Sequence, residues 1–373
     1  MRPGVAATGE PPGQAASSPP DPLAQPTLMD VLDRLFALET FGIKLGLDNI
    51  QRLCDALGHP ERAFRSLHVA GTNGKGSVTA MAHAALDAAG LRAARYTSPH
   101  LSRLTERFVI GAAEVAEGDL RAAAEDVLAC ADRLVAEGRL PFPPTFFEAT
   151  TAIGFELFRR AAVDVAVIEV GLGGRFDATN VILPVATAIT TIAFDHQRHL
   201  GHTLARIAFE KAGIIKPGRP VIAGPLPAEA RAEIVRVAAE RGAPVVHAFD
   251  GTRVETEMID GRARLRLSTP AGEYGPLTLA LRGSHQVANA VIAVRLLEAA
   301  AAEGVSITRQ AIERGLEAVE WPARLELLAL GGGRRVLLDA AHNDEGARAL
   351  ADYLRRWHPD RPPLVIGIMR DKD

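Results

Sequence analysis

Residues 67–81 read L-H-V-A-G-T-N-G-K-G-S-V-T-A-M: a short apolar run, a glycine-rich loop and the start of an alanine-rich segment. The apolar run predicts a strand at 67–70, and 78–89 predicts a helix that ends at Gly90. A glycine loop between a strand and a helix is the context of a phosphate-binding loop. Its backbone N–H groups converge on an anion where the helix dipole also favours negative charge. The stretch therefore predicts a nucleotide-binding α/β fold.

Two side chains of this loop predict the chemistry of the site. Lys75 would reach the terminal phosphates of a nucleotide, and the Ser77 hydroxyl would hold Mg²⁺. Gly76 separates these two residues, so the letters depart from the strict G-x-x-x-x-G-K-[ST] pattern. The alternative is an ordinary glycine turn that caps a helix.

Composition excludes several classes of protein. The chain has 373 residues, of which 47% are apolar and 23% charged, as expected for a globular protein. Basic and acidic residues number 42 and 45, so nothing favours a nucleic-acid partner. Cys54 and Cys130 lie in no metal or redox spacing and predict free thiols. No apolar run approaches the roughly 18 residues of a membrane span. We expect a cytoplasmic protein with no membrane partner.

The order of predicted elements indicates how the chain is organised. Residues 1–27 are rich in Pro, Gly, Ala and Ser and predict a disordered tail. Buried strands such as 163–170 and 185–194 alternate with helices such as 146–160, which predicts a largely parallel sheet. Period-two alternation at 252–281 predicts a small antiparallel sheet.

A new unit begins near Trp321. After Arg324 only two strands (336–338 and 364–368) and one helix (346–357) are predicted before the sequence ends. A unit of roughly 50 residues is too small to bury a good core alone. We therefore expect the α/β unit at 321–373 to be truncated.

In open α/β sheets, ligands bind outside the carboxyl ends of the strands. The segments 71–77 and 171–180 fall at such ends, as do Ser98 and Asp195-His196. Glu148 begins a helix that could face the same edge. A hydroxyl, a carboxylate and an imidazole would suit Mg²⁺.

Each of these residues also has a simpler interpretation. Glu148 could merely complement a helix dipole. His196 could be a solvated loop residue, and Lys211 a solvated lysine at a helix C-terminus.

Nine motifs occur in a fixed order: HVAGTNGKGS, YTSPHL, FFEATT, VIEVGLGGRFDATN, FDH, EKAGIIK, GSHQVANA, WPAR and LDAAHN. With this set the chain resembles folylpolyglutamate synthase, including its bifunctional form with dihydrofolate synthase activity, in the Mur ligase superfamily. The resemblance covers about residue 28 to the last residue. It departs at Asn343-Asp344, where relatives commonly have Asn-Pro.

The resemblance implies an ATP-binding domain of the Mur ligase central type at 28–320. A Rossmann-like glutamate-ligase domain would begin at 321–373. ATP would lie between the two domains. The implied nucleotide contacts are Gly71, Thr72, Asn73, Gly74, Lys75, Gly76, Ser77, Asn289, Arg324, Asp339 and His342.

The resemblance also implies the remaining site residues. Magnesium ligands, with up to two metal sites, would include Ser77, Glu148 and His196. Lys75, Lys211 and His196 would serve catalysis, with Lys211 carbamylated. The pterin-carrying substrate would lie against Ser98, Pro99, His100, Asp177 and Ala178.

The implied activity is ATP-dependent addition of L-glutamate to a reduced folate through an acyl phosphate, by a monomer. The D-A-T-N letters lean toward the bifunctional type, which also accepts dihydropteroate. One alternative is a muramyl-peptide ligase, although those enzymes carry an extra domain before the phosphate loop. The other is a non-catalytic ATP-binding protein or fragment.

Overall fold

The computed structural model describes residues 27–42 and 46–367. The tail predicted at 1–27 lies outside these residues, except for Thr27. Thr27 caps the first helix: its hydroxyl accepts a hydrogen bond from the Asp30 N–H, and the Asp30 carboxylate accepts one from the Thr27 N–H.

An eight-stranded sheet forms the centre of the molecule. Its strands, in chain order, are β1 Arg65–Ala70, β2 Ala93–Tyr96, β3 Phe108–Ile110, β4 Ala113–Glu114, β5 Val165–Glu169, β6 Ala186–Ile189, β7 Val221–Ala223 and β8 Val245–His247. The spatial order is β4-β3-β2-β5-β1-β6-β7-β8. From β2 to β8 all neighbours pair in parallel, and β3 and β4 form an antiparallel edge. The predicted largely parallel sheet is confirmed.

Helices cover both faces of this sheet. They are α1 Leu28–Ala37, α2 Asp48–Ala56, α3 Lys75–Ala88, α4 Glu117–Ala136, α5 Phe146–Arg160, α6 Gln197–Leu200, α7 Leu204–Ala212, α8 Ala228–Glu240, α9 His285–Ala302, α10 Arg309–Ala318 and α11 Asp344–Trp357. Alternate residues of β5 enter different cores: Val165 and Val167 share one with α3 and α9, and Ala166 and Ile168 share another with α4 and α5. Burial on both faces explains why β5 reads as a continuous apolar run.

The predicted antiparallel sheet is also present. Its strands are β9 Arg253–Ile259, β10 Arg262–Thr269 and β11 Gly272–Arg282, in the order β11-β10-β9. Every second residue of β10, namely Ala263, Leu265 and Leu267, is buried in the core that contains α9. This burial on one face produced the period-two pattern in the sequence.

Several elements were missing from the sequence interpretation, including the short β4 and α6. The most consequential is α10, which packs on α3, the helix that follows the phosphate loop. A Cβ added at Gly315 would lie 2.4 Å from the Ala85 backbone N. A local signal for α10 existed, because the Thr308 hydroxyl accepts from the Ala311 N–H as a helix cap. Another is β12 Glu326–Ala329, which pairs antiparallel with β13 Arg335–Leu338.

The strand predicted at 364–368 is wrong over 364–367, which have no regular secondary structure. Leu364, Val365 and Ile366 are exposed there, and Ile368 lies outside the described residues. An apolar run becomes a strand only when a neighbouring backbone pairs with it. The sequence alone could not show that no strand in the described part of this chain pairs with residues 364–367.

Within the described ranges, no helix combines the length and apolar character needed to cross a membrane. Cys54 and Cys130 are buried free thiols, as predicted.

The contact between α10 and α3 yields a prediction about stability. Gly315→Ala should lower the free energy of unfolding by about 1–3 kcal/mol, because the new methyl group collides with the backbone of α3. Gly118→Ala in α4 is the matched control, since no atom lies within 4 Å of its added Cβ. It should be neutral or stabilising by up to about 1 kcal/mol. Urea unfolding measures both, and equal stability of the two variants would contradict the packing described here.

Candidate functional site

The glycines of the phosphate loop let its backbone pack closely against neighbouring segments. Gly74 caps α3 with a φ of +83°, and the helix begins at Lys75. A Cβ at Gly71 would lie 1.8 Å from Thr190 Oγ1, and one at Gly74 would lie 2.3 Å from Asn289 Oδ1. The loop therefore packs closely against the end of β6 and against α9.

Hydrogen bonds fix the loop in this position. The Thr72 N–H donates to the Thr191 carbonyl at 2.8 Å, and the Asn73 N–H donates to Thr191 Oγ1 at 3.0 Å. Thr190 Oγ1 donates to the Asn73 carbonyl at 2.6 Å. The first N–H groups of any helix have no intrahelical acceptor, so the start of α3 presents donors suited to an anion.

A cavity of about 370 Å³ opens beside the loop. It brings together most of the predicted site residues: Gly71, Thr72, Asn73, Gly74, Lys75, Gly76, Ser77, Ser98, Pro99, His196, Lys211, Asn289, Arg324, Asp339 and His342. Four predicted residues are not part of its lining: His100, Glu148, Asp177 and Ala178.

Lys211 is buried and not a solvated lysine. Its Nζ donates to the Gly71 carbonyl at 2.8 Å. Burial lowers the pKa of Lys211 to about 7, and the nearby charge of Lys75 acts in the same direction. The carboxylates of Asp195 and Asp177 oppose the shift. Close to neutral pH, a substantial fraction of this amine is therefore uncharged.

Glu169 is the functional candidate that the sequence interpretation missed. It is the last residue of β5, it is buried, and it lines the cavity. The Ser98 N–H donates to its Oε2 at 3.3 Å. Burial raises the pKa of Glu169 to about 6, and the positive charge of Lys75 opposes the rise. The available signal was an acidic residue at the carboxyl end of a buried strand.

Glu148 is engaged in a different way. Its Oε2 accepts from the Thr145 N–H at 2.7 Å and from Thr145 Oγ1 at 2.9 Å, which completes a capping box at the start of α5. This geometry agrees with the simpler interpretation of Glu148 as a helix-start residue. In the part of the chain that the structure describes, no three His, Cys, Asp or Glu side chains group to hold a metal. Any metal here would need hydroxyl or ligand oxygens as well.

Asp177 organises the loop that follows β5. Its carboxylate accepts from the Leu172 N–H at 2.8 Å, from the Thr179 N–H at 3.0 Å and from the Thr179 hydroxyl. Thr179 Oγ1 in turn lies 2.9 Å from His68 Nε2 on β1. Both Asp177 and Ala178 are buried. A glycine loop that lines the cavity is thus tied to the central strand.

His100 also has an internal partner. Its Nδ1 accepts from Arg107 Nε at 2.9 Å, and its ring lies 6.4 Å from the Phe36 ring. Partial burial and the Arg107 charge lower the pKa of His100. His100 is therefore held in the neutral form beside the cavity and not within it.

His196 is the N-cap residue of α6; its backbone is left-handed (φ +48°), and its side chain is 44% exposed. His196 is therefore partly solvated, as the simpler interpretation expects, and it also lines the cavity.

Hydrogen bonds join the phosphate loop to the C-terminal unit. Asn343 Nδ2 donates to Asn73 Oδ1 at 2.9 Å and to Asp195 Oδ2 at 3.3 Å, and Asn73 Nδ2 donates to Glu345 Oε2. Asn343 also caps α11. Asp344, the residue that departs from the expected Asn-Pro, is the first residue of this helix. An acidic side chain is favourable there, so the change leaves the helix start intact.

No family model matches the chain. Individual relatives do match it. Folylpolyglutamate synthase of Lacticaseibacillus casei is 38% identical over 327 residues, which cover 87% of this chain and 76% of that protein. Dihydrofolate synthase/folylpolyglutamate synthase of Bacillus subtilis is 36% identical over 337 residues, which cover 89% of this chain and 77% of that protein.

The chain belongs to the folylpolyglutamate synthase family. Solved structures agree with this assignment. Folylpolyglutamate synthase of Thermotoga maritima has a TM-score of 0.83 at 34% identity, over 92% of this chain and 79% of that chain. A folylpolyglutamate synthase complex with AMPPCP and folate has a TM-score of 0.82 at 35% identity, over 88% of this chain and 80% of that chain. The predicted family and the α/β fold class are confirmed, and a truncated C-terminal unit stays a prediction.

Proposed function

We propose that this chain is an ATP-dependent ligase that joins L-glutamate to a folate through an amide bond. The observation that carries the proposal is that one cavity is lined by the phosphate loop, by Lys211 and by the C-terminal residues Asp339 and His342. The folylpolyglutamate synthase complex that contains both AMPPCP and folate supports the same substrates here. Glutamylation of dihydropteroate is a second activity, supported by the double name of the Bacillus subtilis relative.

The reaction follows from the low reactivity of a carboxylate as an acyl donor. ATP transfers its γ-phosphoryl group to the folate carboxylate, which forms an acyl phosphate and ADP. The amine of L-glutamate attacks the acyl carbon, phosphate leaves, and a proton is released as the amide forms. Lys75 would neutralise charge on the transferred group. Closure of the two units around the cavity would protect the acyl phosphate from water.

The nucleotide would occupy the cavity with its phosphates at the start of α3. Gly71 to Ser77 would contact these phosphates, as would Lys75 through its side chain. Asn289 lies against Gly74 and lines the same cavity. Arg324, Asp339 and His342 would contact the rest of the nucleotide from the C-terminal side.

For Mg²⁺ we propose Glu169 in place of Glu148, together with Ser77 and His196. These three residues line one cavity, whereas the Glu148 carboxylate is occupied by the helix cap. The donor set fits the metal, because Mg²⁺ uses few protein ligands and keeps water and phosphate oxygens. Bound there, Mg²⁺ would neutralise charge on the phosphoryl group that is transferred. A second metal site stays a prediction.

We propose that Lys211 is carbamylated. A neutral amine attacks the carbon of CO₂ and loses a proton, which leaves an N-carboxylate. The lowered pKa of about 7 supplies the neutral amine at physiological pH. The product would replace a buried cation beside Lys75 with an anion, which removes an unfavourable contact between like charges.

Two buried free thiols are compatible with a reducing cytoplasm as the compartment.

The carbamate can be observed directly. With ¹³C-bicarbonate, the wild-type protein should show a carbamate carbon signal, and Lys211→Arg should not, because arginine stays protonated. The signal should decline as the pH falls below about 7, where the amine becomes protonated. Lys211→Arg should also lose ligase activity. Full activity in this variant, or an equal signal from it, would contradict the carbamate.

The two glutamates give a matched test of the metal site. Glu169→Gln removes a charge at constant shape, so the Mg²⁺ concentration for half-maximal rate should rise by about tenfold or more. Glu148→Gln should behave as wild type, because glutamine also completes a capping box. The reverse pattern would restore Glu148 as the ligand. If both variants needed the same Mg²⁺ concentration, neither glutamate would be a ligand of the metal.

The function itself is tested by incorporation of labelled L-glutamate. Purified protein with ATP and Mg²⁺ should glutamylate both tetrahydrofolate and dihydropteroate. Lys75→Ala should reduce the rate by about 100-fold or more. Product from tetrahydrofolate alone would restrict the chain to folate polyglutamylation. Stoichiometric ATP binding without product from either substrate would favour the non-catalytic alternative.

A further inference from the structure

Trp321 lies directly against the phosphate loop and is not part of the cavity lining. A Cβ added at Gly76 would lie 2.6 Å from Trp321 Cζ2 and 3.2 Å from its Nε1. Gly76 belongs to α3, and its φ lies outside the left-handed region, so its backbone accepts alanine. What excludes a larger residue at this position is the indole ring.

A cation also contacts the indole ring. The Arg95 guanidinium carbon lies 5.3 Å from the centroid of the Trp321 ring, within the range of a cation–π contact. Arg95 extends from β2, and its Nη1 donates to His83 Nδ1 on α3 at 3.3 Å. Burial and Arg95 lower the pKa of His83 to about 3, so the histidine is the neutral acceptor. The ring thus contacts both the phosphate loop and an arginine that is hydrogen-bonded to α3.

Packing and the cation–π contact hold the indole, which makes no hydrogen bond of its own within the described residues. The N–H of Trp321, the Nε of Arg95 and the Nε2 of His83 are buried, and none has a hydrogen-bond partner among residues 27–42 and 46–367. The contact between Trp321 and Gly76 therefore depends on the flat ring. An aromatic replacement should preserve part of it, and a small replacement should not.

The position of Trp321 in the chain gives the contact a consequence for the site. Trp321 follows α10, which is packed on α3, and precedes Arg324 by three residues. Arg324 lines the cavity, and the next residue, Leu325, donates its N–H to Asp339 Oδ2 at 2.9 Å. The indole consequently contacts the phosphate loop just before the chain reaches the residues that line the C-terminal side of the cavity.

We propose that Trp321 is a positioning residue for the nucleotide. By packing on Gly76, it sets the distance between the phosphate loop and the linker that carries Arg324 and leads to Asp339. The inference rests on the proposed function, because it assumes that ATP occupies the cavity between these two sides. A nucleotide that binds the loop changes the surroundings of the indole ring.

Steady-state kinetics with ATP provide the first test. Trp321→Ala should raise the KM for ATP by about tenfold, because a misplaced contact group weakens nucleotide binding even when it lies outside the site. Trp321→Phe should keep the KM within about threefold of wild type, because it retains a flat ring. Trp357→Phe on α11 is the control and should leave the KM unchanged. Circular dichroism and thermal melting establish that each variant is folded.

A double-mutant cycle separates this contact from a general structural effect. Gly76→Ala should weaken ATP binding through its collision with the indole. In the Trp321→Ala background the same change should cause little further loss, because the collision is gone. Additive losses would show that Gly76 is constrained by something other than Trp321, and would overturn the proposal.

Fluorescence supplies a readout that a merely structural role would not change. The chain has two tryptophans, so Trp357→Phe leaves Trp321 as the sole reporter. Addition of AMPPCP should change its emission with the same dissociation constant that calorimetry gives, whereas Trp321→Phe should show little change. Binding by calorimetry without an emission change would overturn the inference and leave the function standing. Absence of binding would instead contradict the proposed function.

Discussion

The close packing of the phosphate loop is the constraint on which the rest of the site depends. Gly71 lies against Thr190, Gly74 against Asn289, and Gly76 against Trp321. Each contact joins the loop to a different part of the chain: the end of β6, the start of α9, and the linker. The absence of three side chains therefore lets three distant segments converge on one helix N-terminus. A cavity bounded on several sides follows from that convergence.

Burial of ionisable groups determines the electrostatics of the cavity. Desolvation lowers the pKa of Lys211 to about 7 and raises that of Glu169 to about 6, so both pKa values lie closer to neutral pH than usual. Lys75 lowers both pKa values: it repels the Lys211 cation and so adds to that shift, and it stabilises the Glu169 anion and so opposes the rise caused by burial. Such groups are poorly compensated by the protein alone. A phosphate chain, a divalent cation and a carbamate would each supply compensating charge, which is why the three proposals are mutually consistent.

Several predicted residues act one step away from the cavity. Asp177 fixes the loop after β5 through Leu172 and Thr179, and Thr179 joins that loop to β1 through His68, which was not predicted as a site residue. Glu148 closes the first turn of α5. These side chains are polar and buried, so a motif identifies them as readily as it identifies a ligand. Only their hydrogen-bond partners show that they support the site and do not line it.

The sequence determined the features that depend on local chemistry. A glycine loop between an apolar run and a helix indicated the phosphate site, continuous and alternating apolar patterns separated the parallel from the antiparallel sheet, and the ordered motifs indicated the family. The tertiary structure decided which carboxylate faces the cavity, that α10 covers α3, and that 364–367 form no strand. It also revealed the contact between Trp321 and Gly76. These features depend on which distant segments meet, and a backbone partner or a buried neighbour leaves no mark in the local pattern of residues.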